Sequence, residues 1–402
     1  MRRMRGWLGL LALGLCLGLS CKERKLPPGP PYLEPARPAP AAPEPDASDT
    51  PDAAVADSST DALVPTPDAN VLPSAAFMIF PRRGATADDT GPTAGPGLVL
   101  DGGYNAPKVL ESMHALAVGA NKSRGDLVIL TSTAGDASSD VWLLAGFASV
   151  QTLALLDGAT PSDFALAGQI LGNAEAVWLT GGDQAKYVRW QNTPLTTGIT
   201  NVYARGGSVG GTSAGMIVLG QFVNDALNTI SENITTQLAV ADPYDQRMHF
   251  TRELVQLPPL LRCITDPHFI ARDRMGRLAT FMARQVQDGF AQPDMLGIGV
   301  DDGAALAIDK NGVGTRLGEA GTGAIYVVRG ASPTRAVPKA PLRYAGLHLV
   351  KLARAEHRYD FSRRCGRGFA RDFDLDGDQQ PPYPGNVYDD GVELDGCADA
   401  GP

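Results

Sequence analysis

The 402-residue sequence predicts an α/β domain on a mostly parallel sheet with helices on both faces, and three observations predict it. Short, wholly apolar runs recur, among them "GLVL" (97–100), "DLVILT" (126–131) and "EAVWLT" (175–180). Segments with apolar residues at helical spacing lie between them. Each run ends in a glycine-rich or polar loop: "DGGYN", "STAGD", "GGDQ". Strands apolar on both faces belong to sheets covered on both sides, and their alternation with helices is the βαβ pattern of a parallel sheet.

The chain opens on a segment that is not part of that domain. Arg2, Arg3 and Arg5 precede a short apolar run from Trp7 to Ser20, too short to span a bilayer, so 1–21 reads as a signal peptide. Its end, "LGLSC", resembles a lipoprotein processing site and makes Cys21 the lipidation candidate; ordinary cleavage nearby is the alternative. Residues 22–75 hold 13 of the chain's 31 prolines among Ala, Asp, Ser and Thr, and read as a disordered, extended linker. An exported protein follows, held by a lipid anchor at the outer membrane or cell surface. The net charge of −9 argues against nucleic acid as a partner.

The body spans 76–355. After "GLVL", a helix runs through "APKVLESMHALAVG", with Val109, Leu110, Met113, Leu116 and Ala117 at helical spacing. "VWLLAGFA" reads as a helix and "VQTLALL" as a strand. Thr160 caps a helix opened by Pro161. The strand "EAVWLT" leads through "GGDQ" and a further helix to "GGSVGGTSAGM", and "LGIGVDD" (296–302) is another buried strand. The loops at the carboxyl ends of such strands form the ligand crevice. No glycine fingerprint for a dinucleotide and no phosphate-loop lysine stands at these turns.

In "GGTSAGM", Ser213 has glycine two positions to either side, the pattern of a nucleophile elbow. With 46 glycines and 17 serines in the chain, about 0.2 such matches would arise by chance, so the pattern needs partners. A serine nucleophile requires a base, and of five histidines His268 is best placed, between the apolar run "LLRCIT" and a helix. The orienting carboxylate comes from Asp301 or Asp302, at the end of "LGIGVDD"; an Asp–Asp–Gly turn with no catalytic part is the alternative. Cys263, in an apolar setting, reads as a buried free thiol.

"LTGGDQ", "GGTSAGM", "DPHFIARDRMGRL" and "GIGVDDGAAL", in that order, resemble cyanophycinase and its relatives in peptidase family S51, which include dipeptidase E. The resemblance covers roughly 97–330. It implies a class I glutamine amidotransferase-like three-layer sandwich and a serine exopeptidase that acts next to aspartate without a catalytic cofactor. Cyanophycinases cleave cyanophycin, a poly-aspartate carrying arginine on its side chains, to β-aspartyl-arginine. By motif, Ser213 would be the nucleophile, His268 the base, and Asp302 would stand where glutamate is usual. The N–H groups of Gly182 and Ala214 would form the oxyanion hole. Gln184, Arg272, Arg274 and Arg277 would contact substrate, and Asp266 would meet its guanidinium. Pro267 replaces the usual glutamine, and the 213–268 spacing is long for the family. The substrate partner would be a peptide or a cyanophycin-like polymer, and the family's members are often homodimers. An aspartyl dipeptidase of different specificity and a non-catalytic binding lipoprotein are the competing readings.

Residues 356–402 read as an acidic tail. "DFDLDGD" places Asp372, Asp374, Asp376 and Asp378 at alternate positions, like the start of a structural calcium loop, though Tyr383 stands where the closing glutamate would be. Cys365 and Cys397 bracket it and, in an exported protein, read as a disulfide.

Overall fold

The computed structural model describes residues 72–397 apart from 105–107, 122 and 229–233. The expected signal segment, Cys21 and the linker as far as residue 71 lie outside the described residues.

Five parallel strands form the centre of the first sheet, in the order Ser149–Leu155, Asp126–Thr131, Ala176–Leu179, Ser208–Thr212 and Gly97–Asp101. They are buried on both faces, which explains their unbroken apolar runs. Side chains alternate across this sheet. Val99, Leu127, Ile129 and Trp178 share one core cluster with Met113 and Trp142, from the helices Val109–Val118 and Asp140–Ala145. Leu98, Leu100, Leu130, Val177 and Leu179 share another with the helices Pro161–Ile170 and Pro194–Ala204. The first of these starts on a reciprocal cap: the Thr160 side chain accepts from the Asp163 N–H, and Asp163 accepts from the Thr160 N–H.

A second sheet has a parallel centre of Phe222–Asn224, Cys263–Asp266 and Leu296–Val300, then antiparallel Ile325–Arg329 and Arg343–Leu352. Leu296, Ile298, Val300, Ile325 and Val327 point into the same core as the first sheet. On the other face, Ile264, Tyr326 and Val328 pack with the helices Thr236–Ala241 and Met275–Gln287. The architecture is α/β with a mostly parallel core, as expected. The carboxyl ends of Gly97–Asp101, Ser208–Thr212, Cys263–Asp266 and Leu296–Val300 all feed one crevice.

The acidic segment requires a correction. Residues 356–397 are not a tail but part of the fold. The twelve-residue strand Cys365–Asp376 pairs with Arg358–Asp360 of the first sheet through its first residues and with Arg343–Leu352 of the second through the rest. Phe373 and Leu375 point into the core, while Asp372, Asp374 and Asp376 alternate on the outer face. These carboxylates are already engaged. Asp372 meets the His348 ring at 2.6 Å, Asp374 accepts from the Gly346 N–H, and Asp376 and Asp378 pair with Arg343, with Arg335 also on Asp378. Carboxylates spread along a strand, each with its own partner, are not a loop converging on calcium, so the calcium expectation finds no support in this geometry. Cys365 and Cys397 are joined as a disulfide.

Candidate active site

The nucleophile elbow arises where the strand Ser208–Thr212 breaks into the short helix Ala214–Ile217. Ser213 sits between them with φ +51°, a backbone conformation that costs an L-residue energy and lifts its hydroxyl out of the turn. The turn closes because Gly211 and Gly215 lack side chains. A Cβ on Gly215 would lie 2.2 Å from the Leu179 carbonyl oxygen, and one on Gly211 2.6 Å from the Gly215 backbone.

Ser213 Oγ lies 2.8 Å from His268 Nε2, and His268 Nδ1 lies 2.5 Å from Asp302 Oδ1. Serine, imidazole and carboxylate are therefore in line. Burial pushes the His268 pKa below the ordinary histidine value, against the opposing pull of Asp302. The imidazole is thus held neutral and able to accept a proton.

The choice between the two aspartates is resolved by their surroundings. Asp301 is only 5% exposed and faces the protein, where its two oxygens accept the N–H groups of Ile270 and Ala324. Burial raises its pKa. It fixes the loop after His268, and Asp302 alone reaches the ring.

The turn that assembles these parts carries no motif in the sequence, where "DGGYN" reads as a plain loop. Three consecutive carbonyls of that turn each accept from a different segment of the candidate site: Asp101 from the Ser213 N–H (3.1 Å), Gly102 from the His268 N–H (3.0 Å) and Gly103 from the Gly303 N–H (2.9 Å). Gly103 has φ +135°, and a Cβ there would lie 2.4 Å from His268 Cε1 and 2.8 Å from Asp302 Oδ1. The adjacent glycines at the end of a buried strand were the available signal. Tyr104 follows, largely exposed, with its ring edge-on to His268 at 6.1 Å.

A cleft opens beside the serine, lined by Gly182, Gln184 and Asn224 on one side and by Pro267, His268 and Arg272 on the other. Ala214, Ala226 and Ile234 also line it, so residues on both sides of 229–233 reach the cleft. Gln184 begins the short helix Gln184–Tyr187, and its Nε2 donates to the Asn224 carbonyl at 3.4 Å.

Arg274 and Arg277 reach the cleft wall, but Asp266 beneath them takes their charge. Arg277 donates to both Asp266 oxygens through Nε (2.8 Å) and Nη2 (2.5 Å), and Arg274 donates to Oδ1 at 3.0 Å. Arg274 also donates to the Pro267 carbonyl and Arg277 to that of Ile234. All three side chains are buried. Asp266 is therefore not free to meet a substrate guanidinium, which corrects that expectation. Arg272 is the exposed arginine of the three. Cys263 is buried in its strand, and burial pushes its thiol up to about 12, so it is no nucleophile. Among the described residues, Glu356, His357 and Glu393 are the one acidic and histidine cluster close enough to share an ion, and it includes no residue of this cleft. No helix among the described residues is long and apolar enough to cross a membrane.

A serine elbow, a histidine and a carboxylate stand in line at the strand ends of a parallel α/β sheet, the constellation that serine peptidases use. Comparison with known proteins finds partial matches. The chain is 30% identical over 149 residues to a cyanophycinase of Trichormus variabilis and to one of Nostoc sp., a match covering 36% of this chain and 43% of each of those proteins. It is 28% identical over 166 residues to a cyanophycinase of Synechococcus elongatus, covering 39% of this chain and 42% of that protein. The matches thus span less than half the length of those relatives. Among solved structures, a peptidase from an acI-B1 Actinobacterium matches at 18% identity and a TM-score of 0.41, over 66% of this chain and 97% of that one. No family model matches.

Proposed function

We propose that the protein is a serine exopeptidase of the cyanophycinase type, cleaving an aspartate-containing peptide or cyanophycin-like polymer through an acyl-enzyme. The observation that carries this reading is the 2.8 Å contact between Ser213 Oγ, on its left-handed elbow, and His268 Nε2. His268 takes the serine proton as Oγ attacks the carbonyl carbon, and Asp302 holds the ring with Nε2 facing the serine and stabilises the imidazolium. The oxyanion falls to the N–H groups of Ala214, at a helix start, and Gly182; each such donor is typically worth about 3 kcal/mol in the transition state. His268 then gives its proton to the departing amine. Water enters, loses a proton to the same nitrogen, and releases the acyl group from Ser213.

Among the described residues, the cleft lining holds Arg272, Arg274 and Arg277 and no carboxylate; Asp266, beneath it, pairs with the last two and leaves Arg272 as the exposed cation. This supports recognition of an acidic group, with Arg272 as the clamp. The same feature favours a second reading: an aspartyl peptidase that needs no arginine on its substrate. Purified protein is incubated with cyanophycin and, separately, with aspartyl dipeptides, beside Ser213→Ala. Polymer cleavage lost in the variant supports the first reading, and dipeptide cleavage alone supports the second. Absence of cleavage of either removes both. Export and lipid anchoring through Cys21 belong to the same proposal, and metabolic labelling with a fatty acid, compared with Cys21→Ser, tests them.

A further inference from the structure

Arg272, the exposed arginine of the cleft, stands next to a residue that faces the opposite way. Asp273, with φ +47°, turns its carboxylate into the protein. Its Oδ1 accepts from the hydroxyls of Tyr383 (2.5 Å) and Tyr388 (2.8 Å), both more than 100 residues downstream. The Thr236 hydroxyl donates to the Asp273 carbonyl. The Tyr388 hydroxyl also accepts from the Met275 N–H at 3.0 Å, and its ring packs edge-on against Phe269 and Tyr326. Lys351 pins this downstream segment to the sheet by donating to the Tyr388 carbonyl and to Asp390, each at 2.8 Å. The Cys365–Cys397 disulfide closes the segment covalently.

His268 has supports of its own, beside the Arg272 N–H that donates to its carbonyl at 3.2 Å. The His268 N–H is held by Gly102, its ring by Asp302, and the Phe269 and Ile270 N–H groups by Val300 and Asp301. Ala271 and Arg272 are exposed, and the side chain beside them with buried partners is that of Asp273. We propose that Tyr383 and Tyr388 are positioning residues for Arg272, so that the C-terminal segment forms the outer support of the subsite for the substrate's carboxylate. This inference rests on the reading of Arg272 as that clamp.

The N–H groups of Arg272, Asp273 and Arg274 close the turn by donating to the carbonyls of His268, Ile270 and Phe269, and the two phenol hydroxyls on one Asp273 oxygen dock that turn against the C-terminal segment. Removing these hydroxyls is expected to leave the triad in place and to loosen the docking of the turn that carries Arg272. The expected consequence is weaker substrate binding with unchanged chemistry. The test uses the full chain with Tyr383→Phe and Tyr388→Phe together, which keeps both rings in the aromatic cluster. The KM for cyanophycin or an aspartyl peptide is expected to rise about tenfold while kcat stays within about twofold. In an Arg272→Ala background the same pair is expected to add nothing to KM. Amide hydrogen exchange is expected to quicken at 270–274 and to stay unchanged at 97–101. An unchanged KM, a fall in kcat without a change in KM, or additive effects with Arg272→Ala would each overturn the proposal. If the wild-type protein cleaves no aspartyl substrate, the functional reading fails by itself. The exchange measurement still decides the positioning role, and unaltered exchange at 270–274 overturns it.

Discussion

Gly103→Ala perturbs the catalytic site through a single added carbon. That Cβ would lie 2.4 Å from His268 Cε1, 2.7 Å from Nδ1 and 2.8 Å from Asp302 Oδ1, where ordinary contacts begin at 3.4 Å. The imidazole must therefore move by about 1 Å, and a misplacement of that size costs about 100-fold in rate. The ceiling is about 10⁴-fold, the loss when the carboxylate no longer orients the histidine at all. A backbone term accompanies it, because φ +135° on an L-residue costs about 1–3 kcal/mol. Gly135 separates the two effects: its φ is +137° and nothing lies within 4 Å of where its Cβ would be. Gly135→Ala carries similar backbone strain without the wedge. The assay is kcat/KM on the cleaved substrate, with the rate of Ser213 labelling by a fluorophosphonate and a thermal melt in parallel. Both variants are expected to melt lower, and Gly103→Ala alone to lose about 100-fold in kcat/KM. A folded Gly103→Ala within threefold of wild type, or a Gly135→Ala as impaired as Gly103→Ala, would refute the reasoning.

Asp302→Asn is expected to lower kcat by about 10⁴-fold with little change in melting temperature, whereas Asp301→Asn, which sets an amide against the Ile270 and Ala324 N–H groups, is expected to cost about 1–3 kcal/mol of stability by urea denaturation. Asp266→Asn leaves two buried arginines without their counter-charge and is expected to destabilise the fold by about 3–5 kcal/mol in the same assay. Because burial lowers the His268 pKa and the neutral ring is the active form, kcat/KM is expected to rise with pH along a limb centred below the ordinary histidine value of 6.5; a midpoint above it would contradict the assignment. Burial, reinforced by the carboxylates of Asp126, Asp89 and Asp88, raises Glu175 from 4.5 to about 7. The native state thus holds a proton that the unfolded chain releases, so this contribution is complete below about 4.5 and lost as pH rises through 7. Glu175→Gln is accordingly expected to melt higher than wild type at pH 8 and close to it at pH 5.

The parallel core was legible because strands covered on both faces leave unbroken apolar runs, and Leu98–Leu100 and Leu127–Leu130 are buried as those runs require. Ser213, His268 and Asp302 were legible together by motif, but what holds them was not, because the turn at 101–103 acts through carbonyl groups that every residue possesses. Charge pairing was not legible. Asp266, Arg274 and Arg277 look like a ligand set in the sequence, and only the packing of Met275–Gln287 on Cys263–Asp266 makes them partners of one another. The acidic segment misled for a specific reason. Aspartates at alternate positions suit a metal loop and the wet face of a strand equally. The deciding residues are those between them, Phe373 and Leu375, whose burial gives the alternation of a half-buried strand.

Ser213, His268 and Gly303, the neighbour of Asp302, belong to three distant parts of the chain, yet each hangs from its own carbonyl on the same three-residue turn. The reacting atoms therefore take their coordinates from Asp101, Gly102 and Gly103 rather than from the lengths of chain between them. A change of chain length between the serine and the histidine is therefore expected to act on the cleft, which Ala226 and Ile234 line, more than on the triad. Such a scaffold separates what the site does from what it admits, and leaves the second open to change by insertion alone.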